Sequence, residues 1–138
     1  MAFSLDNRLA KDCIILGDLK LCKLLLMNDS QYPWLILVPR RSNIREIFQL
    51  NQEDQMNLMT ESNLIAQTLQ KLFNPDKLNT AAIGNMVPQL HIHHIARFTN
   101  DVAWPAPVWG TKPAAPYSKD KLMKISRDIK ESLTDYFN

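Results

Sequence analysis

Hydrophobic residues follow two different spacings along this chain, and the change of spacing separates strands from helices. Three short runs of consecutive apolar residues lie at 13–16, 24–27 and 34–38. Runs of this length, bounded by turn residues, are typical of buried strands. We expect the first two runs to form a hairpin, with its turn at Gly17 and Asp18, and the third run to form the next strand.

A helical spacing begins after residue 51. Asn51 is a suitable N-cap, and two acidic residues follow it in the first turn, where the helix dipole favours negative charge. Apolar side chains then recur every three or four positions as far as Phe73, after which an Asn-Pro pair ends the pattern. The spacing predicts a long helix over 52–73.

The remaining segments complete the order of elements. Strands are predicted at 77–83 and 89–98, an irregular proline-rich loop at 99–117, and helices at 6–13 and after Ser118. Mostly consecutive strands favour an antiparallel sheet. We therefore expect an α+β fold with about five strands, a long helix after the third strand and a helix near the C-terminus.

The composition is that of one ordinary globular domain, which we expect to span residues 1–138. Hydrophobic residues make up 46% of the chain and charged residues 22%, and the net charge is only +2. Proteins that bind nucleic acid or anionic membranes favour dense positive charge, so we expect neither partner. No secretory signal pattern is visible, and the apolar runs are far shorter than the ~20 residues that cross a bilayer. A cytoplasmic location is expected.

Glycine and cysteine are both scarce. Three glycines are too few for a glycine-rich phosphate loop, so any phosphate would be bound by side chains and a few backbone amides. Cys13 and Cys22 do not form a Cys-x-x-Cys pair. We expect two small buried side chains rather than a disulfide or a zinc site.

All three histidines lie in one predicted strand, within the segment Gln89-Leu90-His91-Ile92-His93-His94-Ile95. Because side chains alternate across a strand, Gln89, His91 and His93 share one face with Arg97. This placement makes Arg97 a candidate phosphate ligand. His94 faces the other way, and we expect a core histidine with one hydrogen-bond partner.

The polar stripe of Gln89, His91 and His93 is difficult to attribute to packing, since a buried imidazole needs a hydrogen-bond partner. The stripe could instead belong to a solvent-facing edge strand that is rich in histidine. It could also be a metal site, because two histidines separated by one residue on a strand are a common ligand pair. A metal needs a third ligand, which the sequence does not nominate, and we expect no metal.

The histidine segment resembles the pattern of the histidine triad (HIT) superfamily, His-φ-His-φ-His-φ-φ, in which φ is apolar. Three further segments are similar to superfamily segments in the same order. Residues 24–28 resemble a strand that ends in a ribose-contacting Asn or Asp. Residues 34–40 resemble the following strand, which ends in proline and a basic residue. Residues 83–87 resemble the phosphate loop. The resemblance covers about residues 14–98, the expected core. The loop and helix at 99–138 are similar to a small group of bacterial members.

The resemblance implies a nucleotide phosphohydrolase or nucleotidyl transferase acting on phosphoramidates or dinucleoside polyphosphates. His91 would attack the α-phosphorus of a purine-type nucleotide and form a covalent nucleotidyl-histidine, which water then releases. His93 would hydrogen-bond the phosphate oxygens, and the second ring nitrogen of His91 would donate to a backbone carbonyl. The residues implied to bind the substrate are Asn28, at the ribose, and Gly84, Asn85 and Val87, at the phosphate. No cofactor is implied, and a homodimer is expected.

Two positions depart from the superfamily pattern. Gln89 stands where the first histidine is expected, and a glutamine can donate a hydrogen bond but cannot release a proton as an acid. Met86 replaces the Ser or Thr of the phosphate loop and removes a hydroxyl. A nucleotide-binding module without catalysis is therefore an alternative. Trp104 and Trp109 either close over the nucleobase or only anchor their loop.

Overall fold

A five-stranded antiparallel sheet forms the centre of the molecule, in a computed structural model that describes residues 2–138. Its strands are β1 (Cys13–Asp18), β2 (Cys22–Met27), β3 (Trp34–Pro39), β4 (Lys77–Ala81) and β5 (Ile92–Arg97). They lie in the order β1-β2-β3-β5-β4, which leaves β4 at one edge. The helices are α1 (Asn7–Asp12), α2 (Gln52–Phe73) and α3 (Lys119–Ser132), with 3-10 helices at Ile47–Gln49 and Thr134–Tyr136. The predicted α+β fold is confirmed.

The long helix α2 has the bounds that the sequence predicts. The side chain of Asn51 accepts a hydrogen bond from the amide of Asp54 at 2.8 Å, which caps the first turn. At the other end Asn74 adopts the left-handed conformation, with a φ of +48°. This conformation ends the helix directly before Pro75.

The hairpin turn does not lie at Gly17 and Asp18, contrary to the sequence-based prediction. β1 continues through both residues, and residues 19–21 connect it to β2. The pairing register shifts between Ile15 and Gly17, which is a β-bulge. A Cβ atom at position 17 would lie 2.7 Å from the ring of Phe137. The glycine therefore permits a close approach of the C-terminal segment instead of a turn.

The last two strands are shorter than predicted. β4 ends at Ala81 instead of residue 83, and β5 begins at Ile92 instead of residue 89. The chain before Ile92 leaves the sheet because the amide of Leu90 donates to the carbonyl of Ile44, 2.9 Å away. Residues 89–91 therefore lie beside the sheet, where their backbone groups are available for other partners.

Two apolar layers cover the sheet, one on each face. α2 and α3 cover the first face, whose fully buried residues include Leu24, Leu26, Leu35, Leu37, Ile65, Leu69, Ile129 and Leu133. α1 and the loop at 99–117 cover the second face, with Leu9, Leu25, Trp34, Ile36, Ile95, Ala103 and Val108. Every residue of β3 and β5 is buried, so these strands hold the residues next to them rigidly. Within residues 2–138, no helix has the length and apolarity needed to cross a membrane.

A buried carboxylate joins α2 to the connection between β1 and β2. Glu61 is 6% exposed, and its two oxygens accept hydrogen bonds from the amides of Leu21 and Cys22 at 2.8 and 2.9 Å. Hydrogen bonds to a charged acceptor are stronger than neutral ones. Glu61 thus positions the hairpin on the helical layer.

Replacing Glu61 with glutamine should lower the free energy of unfolding by about 1–3 kcal/mol, because one backbone amide would then face an N–H₂ donor. Chemical denaturation of the E61Q variant measures the loss. Glu131 is exposed near the end of α3, and the control E131Q should not destabilise the protein. Equal unfolding free energies for the two variants would contradict the role of Glu61.

Candidate active site

A polar cavity of about 430 Å³ lies against the segment that precedes β5. Its wall is formed by Arg45, Glu46, Gln49, Ala82, Ile83, Gly84, Asn85, Pro88, Gln89, Leu90 and His91. Four of the candidates from the sequence, Gln89, His91, Gly84 and Asn85, therefore meet at one cavity. Arg45 and Gln49 were missed because no motif marks them. They belong to an irregular segment that the Leu90 hydrogen bond holds beside the histidines.

The ring of His91 is oriented by the backbone two residues before it. Its Nδ1 atom lies 2.7 Å from the carbonyl oxygen of Gln89. A carbonyl oxygen only accepts, so the shared proton belongs to Nδ1 and the lone pair of the neutral ring lies on Nε2. His91 has the backbone-carbonyl partner that the resemblance implies.

His93 is held in the opposite tautomer. The indole Nε1–H of Trp34 donates to His93 Nδ1 at 3.0 Å, so the proton of the neutral imidazole lies on Nε2. Nε2 is buried and has no hydrogen-bond partner in the part of the chain that the structure describes. Burial, followed by the nearby rings of His91 and His94, lowers the pKa of His93 to about 3. His93 is therefore a neutral donor with an unused N–H.

A row of aromatic rings connects the two histidines to a second groove. The ring centroids are 4.9 Å apart for His91 and His93, 5.0 Å for His93 and Trp109, and 5.8 Å for Trp109 and Trp34. The two tryptophans line a groove of about 430 Å³ together with Asn28 and Lys112. Trp109 thus contacts His93 and also lines this groove, in addition to packing its loop.

One of the two polar atoms of the Asn28 side chain has a hydrogen-bond partner, and the other has none within residues 2–138. Its Oδ1 atom accepts a hydrogen bond from the amide of Tyr117 at 2.9 Å, which holds the end of the proline-rich loop against β2. The side-chain nitrogen of Asn28, Nδ2, makes no hydrogen bond within residues 2–138. The residue is half-buried at the groove. Asn28 can donate to a ligand oxygen there.

The amide of Gln89 is used by the N-terminal segment. Its Oε1 atom accepts from the backbone amide of Asp6, and its Nε2 atom donates to the carbonyl of Ser4, both at 2.9 Å. Gln89 therefore forms part of the cavity wall while its polar atoms hold the beginning of the chain. This partner was missed because the sequence gives no indication that the segment before α1 reaches position 89.

The structure does not support Arg97 as a phosphate ligand. Arg97 is 1% exposed, and its guanidinium donates to both carboxylate oxygens of Asp101, to Asn79 and to the carbonyl of Ala106. Burial opposes ionisation of Asp101, but the hydrogen bonds from Arg97 and three backbone amides outweigh it and lower the pKa of Asp101 to about 2. Arg97 also lies 5.7 Å from the ring of Trp104. Both residues anchor the loop at 99–117.

Val87 contributes packing where the resemblance implies a phosphate contact. It is 7% exposed, belongs to the second apolar layer and does not line the cavity beside His91. The neighbouring Met86 is 70% exposed, so this position presents a thioether to solvent instead of a hydroxyl. A Cβ atom at Gly84 would lie 3.0 Å from the carbonyl oxygen of Val87, which shows how tightly the loop turns there.

His94 lies on the other face of β5, as the alternation of the strand predicts. Its Nε2 atom is 2.7 Å from the hydroxyl of Ser62 on α2. Burial lowers the pKa of His94 to about 4. His94 is thus a neutral core residue with one partner. The structure also bears on the metal alternative: among residues 2–138, no three His, Cys, Asp or Glu side chains are grouped so that they could hold a metal ion.

Replacing Trp34 with phenylalanine should raise the pKa of His93 by about one unit, because the indole N–H that opposes a proton on Nδ1 is lost. Nitrogen-15 NMR titration of histidine-labelled protein measures this. Trp109 contacts the His93 ring without a hydrogen bond to it, so the W109F variant is the matched control. If His93 has the same pKa in W34F as in wild type, the assignment of this hydrogen bond is contradicted.

Comparisons with known proteins agree with this geometry. Residues 8–100 match the HIT domain family model. The chain is 47% identical to a histidine triad protein of Marinobacter aquaeolei VT8, with 99% of each chain covered and a TM-score of 0.95. It is 44% identical to a histidine triad protein of Bradyrhizobium japonicum, covering 96% of this chain and 98% of that chain, with a TM-score of 0.94. No curated protein matches the sequence.

More distant structures share the fold alone. A Plasmodium falciparum diadenosine triphosphate hydrolase is 18% identical, with a TM-score of 0.66 and coverage of 100% of this chain and 86% of that chain. A hypothetical histidine triad nucleotide-binding protein of Sulfolobus tokodaii is 15% identical, with a TM-score of 0.67 and coverage of 89% and 85%. The family model spans more than half of the sequence, and the two bacterial relatives match it almost from end to end. This chain therefore belongs to the HIT domain family.

Proposed function

We propose that this HIT domain protein is a nucleotide phosphohydrolase or nucleotidyl transferase that acts at an α-phosphate through a covalent intermediate on His91. The observation that carries the proposal is the hydrogen bond from His91 Nδ1 to the Gln89 carbonyl, which leaves the Nε2 lone pair available beside a polar cavity. An imidazole held in this tautomer is a nucleophile near neutral pH without help from a separate base. The family membership and the names of the nucleotide-related structures above support a nucleotide as the ligand.

The two cavities suggest how a nucleotide would lie. Its nucleoside would occupy the groove beside Asn28 and Trp109, where an indole ring offers an apolar face for a base and the Asn28 amide offers a donor for the ribose. Its phosphate would then reach His91 past the ring of His93. Gly84 and Asn85 line the cavity on the far side and would contact the phosphate oxygens.

His93 would stabilise the charge that develops on the phosphate during attack. Its Nε2–H has no partner in the described protein, and a buried donor without a partner costs free energy. A phosphate oxygen would satisfy it. Because the donor is already fixed by Trp34, no reorganisation is needed when the reaction occurs.

Replacing His91 with alanine should abolish turnover of diadenosine triphosphate and of adenosine phosphoramidate, since no other histidine among residues 2–138 lines the cavity. Mass spectrometry of the acid-labile adduct formed at low temperature should place one nucleotidyl group on His91 in wild type. The control H94N removes a histidine on the opposite face and should still form the adduct. Unchanged turnover in H91A would rule out the mechanism.

A catalytically quiet nucleotide-binding module remains the second candidate. The hydrogen bonds of Gln89 to the N-terminal segment favour it, because this position offers no acid to a leaving group and both polar atoms of its side chain already have a partner. Calorimetry with adenosine monophosphate distinguishes the two functions. Tight binding without any adduct on His91 would favour the binding module.

We also propose a homodimer formed at the open edge of the sheet. β4 is one of the two edge strands, β1 being the other, and an unpaired strand edge favours pairing with another chain. Large apolar side chains are exposed near it: Ile83 and Met86 follow β4, and Phe48, 79% exposed, belongs to the segment that shares the cavity wall with Ile83. The cytoplasmic location stays a prediction.

Replacing Phe48 with serine should weaken the dimer about tenfold or more, because an aromatic anchor at an interface contributes on the order of 1–2 kcal/mol or more. Sedimentation velocity across a concentration series measures the association. Met123 is 61% exposed on α3, away from β4 in the sequence, so M123S is the control and should associate as wild type does. A monomeric wild-type protein at high concentration would overturn the dimer.

A further inference from the structure

We propose that the leaving group of the natural substrate is a phosphate-type oxyanion, so that the substrate is a phosphoric anhydride and not a phosphoramidate. This narrows the substrate class and rests on the proposed function. It follows from the absence of a general acid at the cavity, within the described residues 2–138, and from the guanidinium of Arg45 in the cavity wall.

Gln89 cannot supply a proton to a leaving group. An amide is not an acid at neutral pH. Both of its polar atoms are also occupied, because Oε1 accepts from Asp6 and Nε2 donates to Ser4, each at 2.9 Å. The residue that occupies the first triad position therefore holds the N-terminal segment and is not directed at the reacting bond.

The neighbouring ionisable residues do not replace it. His93 is buried beside His91 and does not line the cavity. Its Nδ1 atom accepts the Trp34 indole N–H, so no lone pair of that ring is free to take up a second proton. A guanidinium such as that of Arg45 does not act as an acid. Glu46 is an exposed carboxylate, and an ionised carboxylate only accepts hydrogen bonds. No general acid therefore faces the cavity in the described chain.

Without a general acid, phosphoric anhydrides and phosphoramidates should react at different rates. When His91 Nε2 attacks the α-phosphorus, an N–P bond forms and the bond to the leaving group breaks, with its electron pair passing to the leaving atom. In an anhydride that atom is a phosphate oxygen, which carries the charge without a proton. In a phosphoramidate it is a nitrogen, which must be protonated before or during departure. Water then attacks phosphorus, returns the electron pair to His91 and loses a proton to solvent.

The cavity wall also fits an anionic leaving group. Arg45 is exposed at the cavity, and its guanidinium makes no hydrogen bond or ion pair within residues 2–138. A guanidinium is well suited to bind phosphate oxygens with two parallel hydrogen bonds. Gln49 and Asn85 line the same wall and add neutral polar groups. An amine leaving group would gain nothing from a cation there.

Single-turnover formation of the His91 adduct tests this directly, with diadenosine triphosphate as the anhydride and adenosine phosphoramidate as the amine substrate. The anhydride should react about 100-fold faster or more, which is the usual contribution of a general acid. In Q89H the phosphoramidate rate should rise by about tenfold or more, relative to the anhydride rate. Q89A, which loses the contacts to the N-terminal segment without gaining an imidazole, is the matched control and should show no such gain.

Arg45 gives an independent comparison. In R45A the anhydride rate should fall about tenfold while the phosphoramidate rate stays the same, since only the anhydride has an anionic leaving group. E46Q should not lower the phosphoramidate rate relative to the anhydride rate, because Glu46 is not the missing acid. Equal wild-type rates for the two substrates, or such a fall of the phosphoramidate rate in E46Q, would overturn the inference while leaving the His91 mechanism in place. No adduct from either substrate would overturn the proposed function itself, and the inference with it.

Discussion

The proposed chemistry of this protein depends on one short hydrogen bond, from Nδ1 of His91 to the carbonyl of Gln89 at 2.7 Å. That carbonyl is available because the chain leaves the sheet before Ile92, where the amide of Leu90 binds Ile44 instead of a neighbouring strand. If β5 began at residue 89, the ladder could use the same carbonyl and the ring would lose its orientation. The irregular residues 89–91 therefore determine the orientation of the His91 ring more directly than the regular strand beside them.

The surrounding core determines the state of the second histidine. β3 is buried along its whole length, and the first residue of that strand, Trp34, directs its indole N–H at His93. Burial in this layer disfavours a charged imidazole, and the tryptophan determines which nitrogen carries the single proton. The two histidines are thus prepared in complementary tautomers, one with a lone pair toward the cavity and one with a donor. Neither state needs a carboxylate partner.

The sequence was sufficient for features that depend on local spacing. α2 was predicted with its correct bounds because its caps and apolar stripe lie within the helix itself, and His94 was placed correctly because strand alternation is local. Features that depend on distant partners were not accessible. Gly17 permits the approach of Phe137, which lies 120 positions further along the chain. Arg97 lies in β5, as expected, but Asp101 and Asn79 take up its hydrogen bonds.

The contacts of Gln89 also have a consequence for local stability. Ser4 and Asp6 lie 85 and 83 positions from Gln89 in the sequence, yet they satisfy both ends of its side chain. We therefore expect residues 4–6 and the backbone that orients His91 to unfold together. Amide exchange at Asp6 should then report on the integrity of the site, although residues 2–6 do not line the cavity beside His91. A fusion that strains these residues would disturb the backbone beside His91 through Gln89 and not through the hydrophobic core.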